Sequence, residues 1–228
     1  GGGSWPRPGE ISLAHRGVLF LDEFPEFPRN VVEALRQPME SGQVVVSRAA
    51  TSIQFPARFM LVAAMNPCPC GNYGDEVKAC TCPSGVVYRY QRKISGPVLD
   101  RIDMQVNVLR ESYDRMSGDQ PEVSSQEIRG QVLAARQRQQ QRFGADGPLL
   151  NSALGPRDIK KYCQLTPEAE VSLKRVVTSK NLSGRGYHKI LKLALTIADL
   201  EKSKVINNDY LMEAVNYRVK SVEDAILG

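Results

Sequence analysis

Asp22 and Glu23 stand side by side at the end of the apolar run Gly17-Val18-Leu19-Phe20-Leu21. A wholly apolar run of this length, opened by a glycine, fits a buried strand of a parallel sheet. Acids placed where such a strand emerges often face a ligand. The same pair also serves as a turn acid or at a helix N-terminus. A second apolar run, "RFMLVAAMNP", ends on Asn66 before a proline. Polar side chains delivered to one edge by successive strands mark where open α/β sheets bind ligands.

Four of the five cysteines cluster: Cys68, Cys70, Cys80 and Cys82 form C-x-C…C-x-C with nine residues between the pairs. Four thiolates so close in sequence can surround one tetrahedral Zn²⁺. Structural zinc sites more often use C-x₂₋₄-C, and free thiols in a reducing cytosol are the other reading. The start "GGGSWPRPGE" has no methionine, basic segment or apolar core of a secretory signal, so disulfides are not expected. Cys163 lies among apolar helical neighbours and reads as a buried residue. The only histidines are His15, before the first strand, and His188. His15 could orient the strand-end acids or contact a neighbouring subunit, but a lone histidine is more often structural; His188 packs or faces solvent. No Ser-His-Asp or Cys-His hydrolase arrangement is legible.

The elements that must position these residues follow from periodicity. Pro25 and Pro28 bracket a turn, and "RNVVEALRQPMESG" carries Val31, Val32, Leu35 and Met39 at helical spacing up to Gly42. "QVVVSRAATSIQF" reads as a β-hairpin with Arg48 near its tip. Residues 67–83 form an irregular loop. "YRYQRKISGPVLDRIDMQVNV" reads as a helix, a turn at Ser95-Gly96-Pro97, a short helix and a strand. "ESYDRMSGDQPEV" looks like a linker, after which the pattern is all helical. Ser124 and Glu127 make a capping box for a helix to about Phe143, stopped by Gly144. Thr166 caps a helix with Pro167 at its first position. Ile190, Leu191, Ala194, Leu195 and Ile197 share one apolar face of a further helix. The two domains expected are 1–117, a partial α/β core, and 118–228, all helical.

Of the 228 residues 42% are hydrophobic and 24% charged, the balance of a soluble globular protein. No apolar run approaches a membrane span, and no membrane partner is expected. The net charge of +5 and pI near 9.0 suit a nucleic-acid or nucleotide-phosphate partner without requiring one. Arg136, Arg138 and Arg142 in "ARQRQQQR" read as a solvated helix face or a DNA contact.

The strand ending in Asp-Glu resembles the Walker B element of P-loop ATPases, and further features follow in order. These are Asn66, the Arg101 of "SGPVLDRID" after a small helix, and the Arg185 of "SGRGYHKI" opening a helix. Together with "GGGSWPRPGEISLAHRGVLFLDEFPEF" and "AAMNPCPCGNYGD", these strings resemble the magnesium-chelatase-like AAA+ ATPases over nearly the whole chain. Within them the similarity is to the bacterial competence-protein group, often called ComM-like or YifB-like. The resemblance implies a partial AAA+ P-loop core with parallel sheet and inserted hairpin, followed by a helical lid domain. It implies a cytoplasmic ATPase acting as a hexameric ring on ATP and Mg²⁺, with DNA remodelling during natural transformation as its task. A chelatase-type subunit acting on a partner protein, or a non-catalytic oligomerisation module, are the alternatives.

The resemblance assigns roles residue by residue. Asp22 would hold Mg²⁺ through the nucleotide, and Glu23 would polarise water. Asn66 would sense the γ-phosphate, Arg101 would reach the neighbouring subunit's nucleotide, and Arg185 would report nucleotide state to the lid. A guanidinium suits both arginine positions because it stays charged and binds phosphate oxygens as a fork. Arg48 would be a phosphate contact in a ring pore, the other reading being a plain edge hairpin with a solvated arginine. The chain departs from the family in one respect: it contains no G-x-x-x-x-G-K-[ST], and Gly1-Gly2-Gly3-Ser4 is no substitute. The chain by itself is therefore expected not to hydrolyse ATP, and its sheet to be incomplete.

Overall fold

The computed structural model describes residues 6–48, 51–108, 123–145, 147–148 and 150–218. The chain forms two compact units, Gly1–Ile102 and Asp103–Gly228. The boundary expected at 117/118 lies outside the described residues. The first unit is α/β and the second helical, as expected.

In the first unit, α1 (Glu10–Leu13) leads into β1 (Val18–Leu21), and a 3₁₀ turn (Phe24–Glu26) contains Pro25 and ends before Pro28. The amphipathic stretch that follows is two helices rather than one, α2 (Arg29–Ala34) and α3 (Arg36–Ser41). Pro38 accounts for the break: it has no N–H to give, and its ring crowds the carbonyl four residues earlier. Gly42 ends α3 at φ 68°, where a Cβ would come within 2.8 Å of Arg58 Cγ. Only glycine fits that turn without strain. The hairpin follows as β2 (Gln43–Arg48) and β3 (Thr51–Pro56), antiparallel, with Arg48 opposite Thr51 at the end of the ladder.

β4 (Met60–Ala63) pairs with β1 in parallel, Val18 opposite Met60 through Leu21 opposite Ala63. The pairing continues past the strand end, where Ala64 N–H donates to Leu21 O (2.9 Å) and Phe24 N–H to Ala64 O (2.9 Å). Alternation sends Leu19 and Leu21 toward a core of Phe24, Val32, Leu35, Ile94 and Val98. Burying each such side chain contributes about 1.5–3 kcal/mol. The opposite face, with Val18, Phe20, Met60 and Val62, is exposed (Phe20 60%). Helices α4 (Ser84–Gln91) and α5 (Gly96–Leu99) complete the unit.

The strand expected beyond Arg101 is absent: residues 104–108 join no ladder among the described residues. Val106 and Val108 are 62% and 91% exposed. Periodicity alone does not make a strand without a partner.

The second unit is built around α9 (Gly184–Leu200), with α6 (Ser125–Phe143), α7 (Pro156–Tyr162), α8 (Pro167–Ser179) and α10 (Asn208–Asn216). The expected apolar face of α9 is buried throughout, Ile190, Ala194 and Leu195 completely. Both expected caps form. Ser124 accepts the Glu127 N–H (3.2 Å) while Glu127 receives the Ser124 N–H (2.8 Å), and Thr166 accepts the Ala169 N–H.

The arginine run on α6 corrects the reading of a solvated face. Arg142 donates to both carboxylate oxygens of Asp199, which is wholly buried, and Asn151 Nδ2 adds a third bond at 2.8 Å. Arg138 donates to the Asp199 carbonyl (2.9 Å), and Gln139 Oε1 accepts the Asn151 N–H. Only Arg136 of the three is exposed. A buried carboxylate must find cationic and amide donors; α6 supplies the guanidinium and Asn151 the amide.

Candidate functional site

The parallel register of β1 and β4 puts the segments that follow Leu21 and Ala63 at the same end of the sheet. Asp22, Glu23 and Asn66 all leave from that end, and all three are exposed. Asn66 lies three residues beyond β4 rather than at its last position. Its strand partner has turned away by then, and Pro67 confines the residue before it to extended backbone. Glu23 adopts the left-handed region (φ 49°, ψ 42°), and its N–H donates to Asp22 Oδ1 at 2.8 Å. The acid pair is thus at once a strand end and a tight turn, so the two readings of its spacing describe the same place.

Arg101 follows Asp100, the C-cap of α5. Its guanidinium is held inside its own unit, by Glu40 Oε2 of α3 at 2.5 Å and the Pro97 carbonyl at 2.7 Å, and its side chain is 13% exposed. A group meant to reach a neighbouring subunit would have to leave Glu40 first. Sequence spacing gave no sign of Glu40, because the pair spans 61 residues.

His15 Nδ1 accepts the Arg58 N–H (3.1 Å), joining the turn after α1 to the approach of β4. This bond explains the histidine by position rather than by chemistry. Arg185 lies exposed in the first turn of α9, whose cap is Ser183 Oγ accepting the Gly186 N–H at 3.1 Å. His188, half-buried, stands 5.6 Å ring to ring from Tyr187. The side chain of Arg48 lies outside the described residues.

The four clustered cysteines converge. Every Sγ lies within 4.8 Å of the others, and Cys68 is fully buried. Two glycines in the left-handed region, Gly71 and Gly74 (both φ 79°), let the intervening loop fold back. Asp75 Oδ1 tightens it by accepting the N–H groups of Val77 and Lys78. The backbone N–H groups of Asn72 and Thr81 donate to Cys70, and with Cys68 beside it they bring that thiol down to about 5. Cys80 receives the Cys82 N–H, yet desolvation and the adjoining Cys70 and Cys68 push it up to about 12. Desolvation likewise raises Cys82. Sulfurs packed this closely cannot all ionise without a cation among them. Cys163, in contrast, is buried in the helical core, and burial pushes its thiol up to about 11.

One neighbour of this loop was not legible. Gln91, buried on α4, donates through Nε2 to the Pro67 carbonyl at 3.0 Å, fastening the residue after Asn66 to that helix. No local pattern marks a glutamine whose partner lies 24 residues away.

Two family models match the chain: "Magnesium chelatase, subunit ChlI" over residues 1–116 and "Magnesium chelatase, subunit ChlI C-terminal" over residues 122–218. Competence protein ComM of Haemophilus influenzae is 46% identical over 220 residues, covering 96% of this chain and 42% of that protein. The uncharacterized protein YifB of Escherichia coli is 44% identical over 219 residues, with the same coverage. The magnesium-chelatase 38 kDa subunit of Rhodobacter capsulatus is 29% identical over 148 residues, 58% of this chain and 36% of that subunit. The chain thus spans 42% of the length of these two curated relatives. Among the described residues no helix is long and apolar enough to cross a membrane. With the two models together matching nearly its whole length, the chain belongs to the magnesium chelatase subunit ChlI family.

Proposed function

We propose that this chain is the Walker B-to-lid portion of a ring-forming, cytoplasmic AAA+ ATPase whose full-length form remodels DNA. The observation that carries the reading is the parallel pairing of β1 with β4, which sends Asp22, Glu23 and Asn66 out of one sheet end. In this reading Asp22 holds the Mg²⁺ of a bound nucleotide and Glu23 orients and polarises the attacking water. Asn66 donates its amide toward that water or the γ-phosphate. Arg185 reports nucleotide state from the first turn of α9. Arg101 serves a neighbouring subunit once it is released from Glu40. A bound Mg-ATP supplies the phosphoryl group and the cation that neutralises its charge.

The fit of the residues present is partial in a definite way. The strand-end acids and the amide are exposed and available, but the 228 residues contain no phosphate-cradling G-x-x-x-x-G-K-[ST]. Nucleotide binding therefore needs a loop from elsewhere in the full-length protein. The DNA client is supported by the ComM relative, named as a competence protein, and by the net charge of +5.

A chelatase-type motor acting on a protein partner is the second reading, favoured by the chelatase subunit relative. ATP turnover of the full-length protein, measured with and without DNA, separates the two. The first reading expects DNA to raise turnover several-fold; turnover indifferent to DNA favours the second.

A further inference from the structure

We propose that Cys68, Cys70, Cys80 and Cys82 form a tetrathiolate Zn²⁺ site that clamps the exit of β4 to the start of α4.

The geometry is that of a single ion. Zinc–thiolate bonds of about 2.3 Å in a regular tetrahedron put sulfurs about 3.8 Å apart. The Sγ separations Cys68–Cys70, Cys68–Cys80 and Cys70–Cys80 are 3.3, 3.7 and 3.6 Å. All four sulfurs within 4.8 Å leave room for one ion and none for a cluster of several metals. None of the four is in a disulfide. Four sulfur ligands in tetrahedral array select zinc among the abundant divalent ions.

The surroundings are those of a held metal. Cys68-Pro69-Cys70-Gly71 closes on itself through the Gly71 N–H to the Cys68 carbonyl (3.0 Å). The N–H groups of Asn72 and Thr81 point at the Cys70 sulfur, that of Cys82 at Cys80, and that of Cys70 at Cys82. Backbone N–H donors around thiolate sulfur orient the ligands and spread their charge.

The site's place in the chain gives it a task. Cys68 comes two residues after Asn66, and Cys82 immediately precedes Pro83, the cap of α4. Gln91 of the same helix holds the Pro67 carbonyl. An ion shared by both cysteine pairs thus fixes the Asn66 segment against α4. This positioning of Asn66 rests on the ATPase reading; the metal site does not.

The test is metal analysis of the purified protein together with the absorption spectrum after Co²⁺ replacement. About one zinc per chain, and the sulfur-to-cobalt charge-transfer and intense visible bands of tetrahedral thiolate coordination, are expected. Cys70→Ser and Cys80→Ser should each lose at least about nine-tenths of the metal, while Cys163→Ser keeps it. Should a ligand variant fail to fold, the wild-type zinc content and cobalt spectrum decide alone. A metal-free protein from zinc-replete medium, a disulfide between these cysteines by mass, iron in place of zinc, or an octahedral cobalt spectrum would each overturn the proposal. Absence of ATP turnover by the full-length protein with zinc bound would count against the ATPase reading only.

Discussion

The Glu23 N–H donates to the carboxylate of Asp22 at 2.8 Å, and this bond closes a turn in which Glu23 is left-handed. A non-glycine residue in that conformation is strained by about 1–2 kcal/mol. Glu23→Gly should therefore melt no earlier than wild type, and later by up to about 1 kcal/mol equivalent. Thermal unfolding of this chain checks it. A glutamate kept at a position where glycine is more stable is what a functional carboxylate requires; a markedly destabilised Glu23→Gly would instead make the side chain structural.

Arg101 and Glu40 raise a different question, because the arginine expected to act outward is tied inward at 2.5 Å. If the pair is a resting contact, Glu40→Gln leaves ATP turnover of the full-length protein within a few-fold of wild type. Arg101→Ala then costs about 10³-fold, the scale of a lost arginine finger. Equal losses in the two variants, tracking equal losses of stability, would confine Arg101 to holding α5 against α3.

In the helical unit the heaviest polar dependence is on Asp199. Arg142→Ala strands a wholly buried carboxylate with Asn151 alone to answer it among the described residues. Removing one partner of such a pair costs about 3–5 kcal/mol. A urea midpoint for Arg142→Ala well below that of Arg136→Ala, whose side chain is exposed, is the expected result.

The N-terminus of α6 gives a pH dependence with a definite sign. The Ser124 N–H and then its hydroxyl, bonding the Glu127 carboxylate, hold that group below the usual carboxylate range. A lowered folded-state value means stability present above the unfolded value and lost as pH falls through the folded one. Ser124→Ala should cost about 1 kcal/mol at neutral pH. The gap from wild type should narrow in acid, read from unfolding midpoints between neutral and strongly acidic buffer. A gap constant with pH would exclude the Ser124 hydroxyl as a donor to the Glu127 carboxylate.

Local signals carried most of the fold. The caps at Ser124 and Thr166, the stop at Gly42 and the apolar face of α9 each depend on residues three or four apart, and each is where spacing puts it. The hairpin was equally legible, since its two runs are adjacent. What escaped depends on distant partners. "IDMQVNV" alternates like a strand yet has no strand beside it among the described residues. Arg142 reads as a surface residue until Asp199, 57 positions away, is brought beneath it. At the site, spacing singled out the candidate residues and indicated that the cysteine pairs could meet. It did not show that Arg101 is engaged by Glu40, or that Gln91 holds the loop beyond Asn66.

In the proposed function Glu23 activates water at the shared strand end. The direct measurement is Mg²⁺-dependent ATP turnover by the full-length protein, wild type against Glu23→Gln, with nucleotide affinity measured in parallel. Turnover should fall by about 10²–10³-fold while affinity stays within a few-fold of wild type. Turnover unchanged in Glu23→Gln would contradict the account.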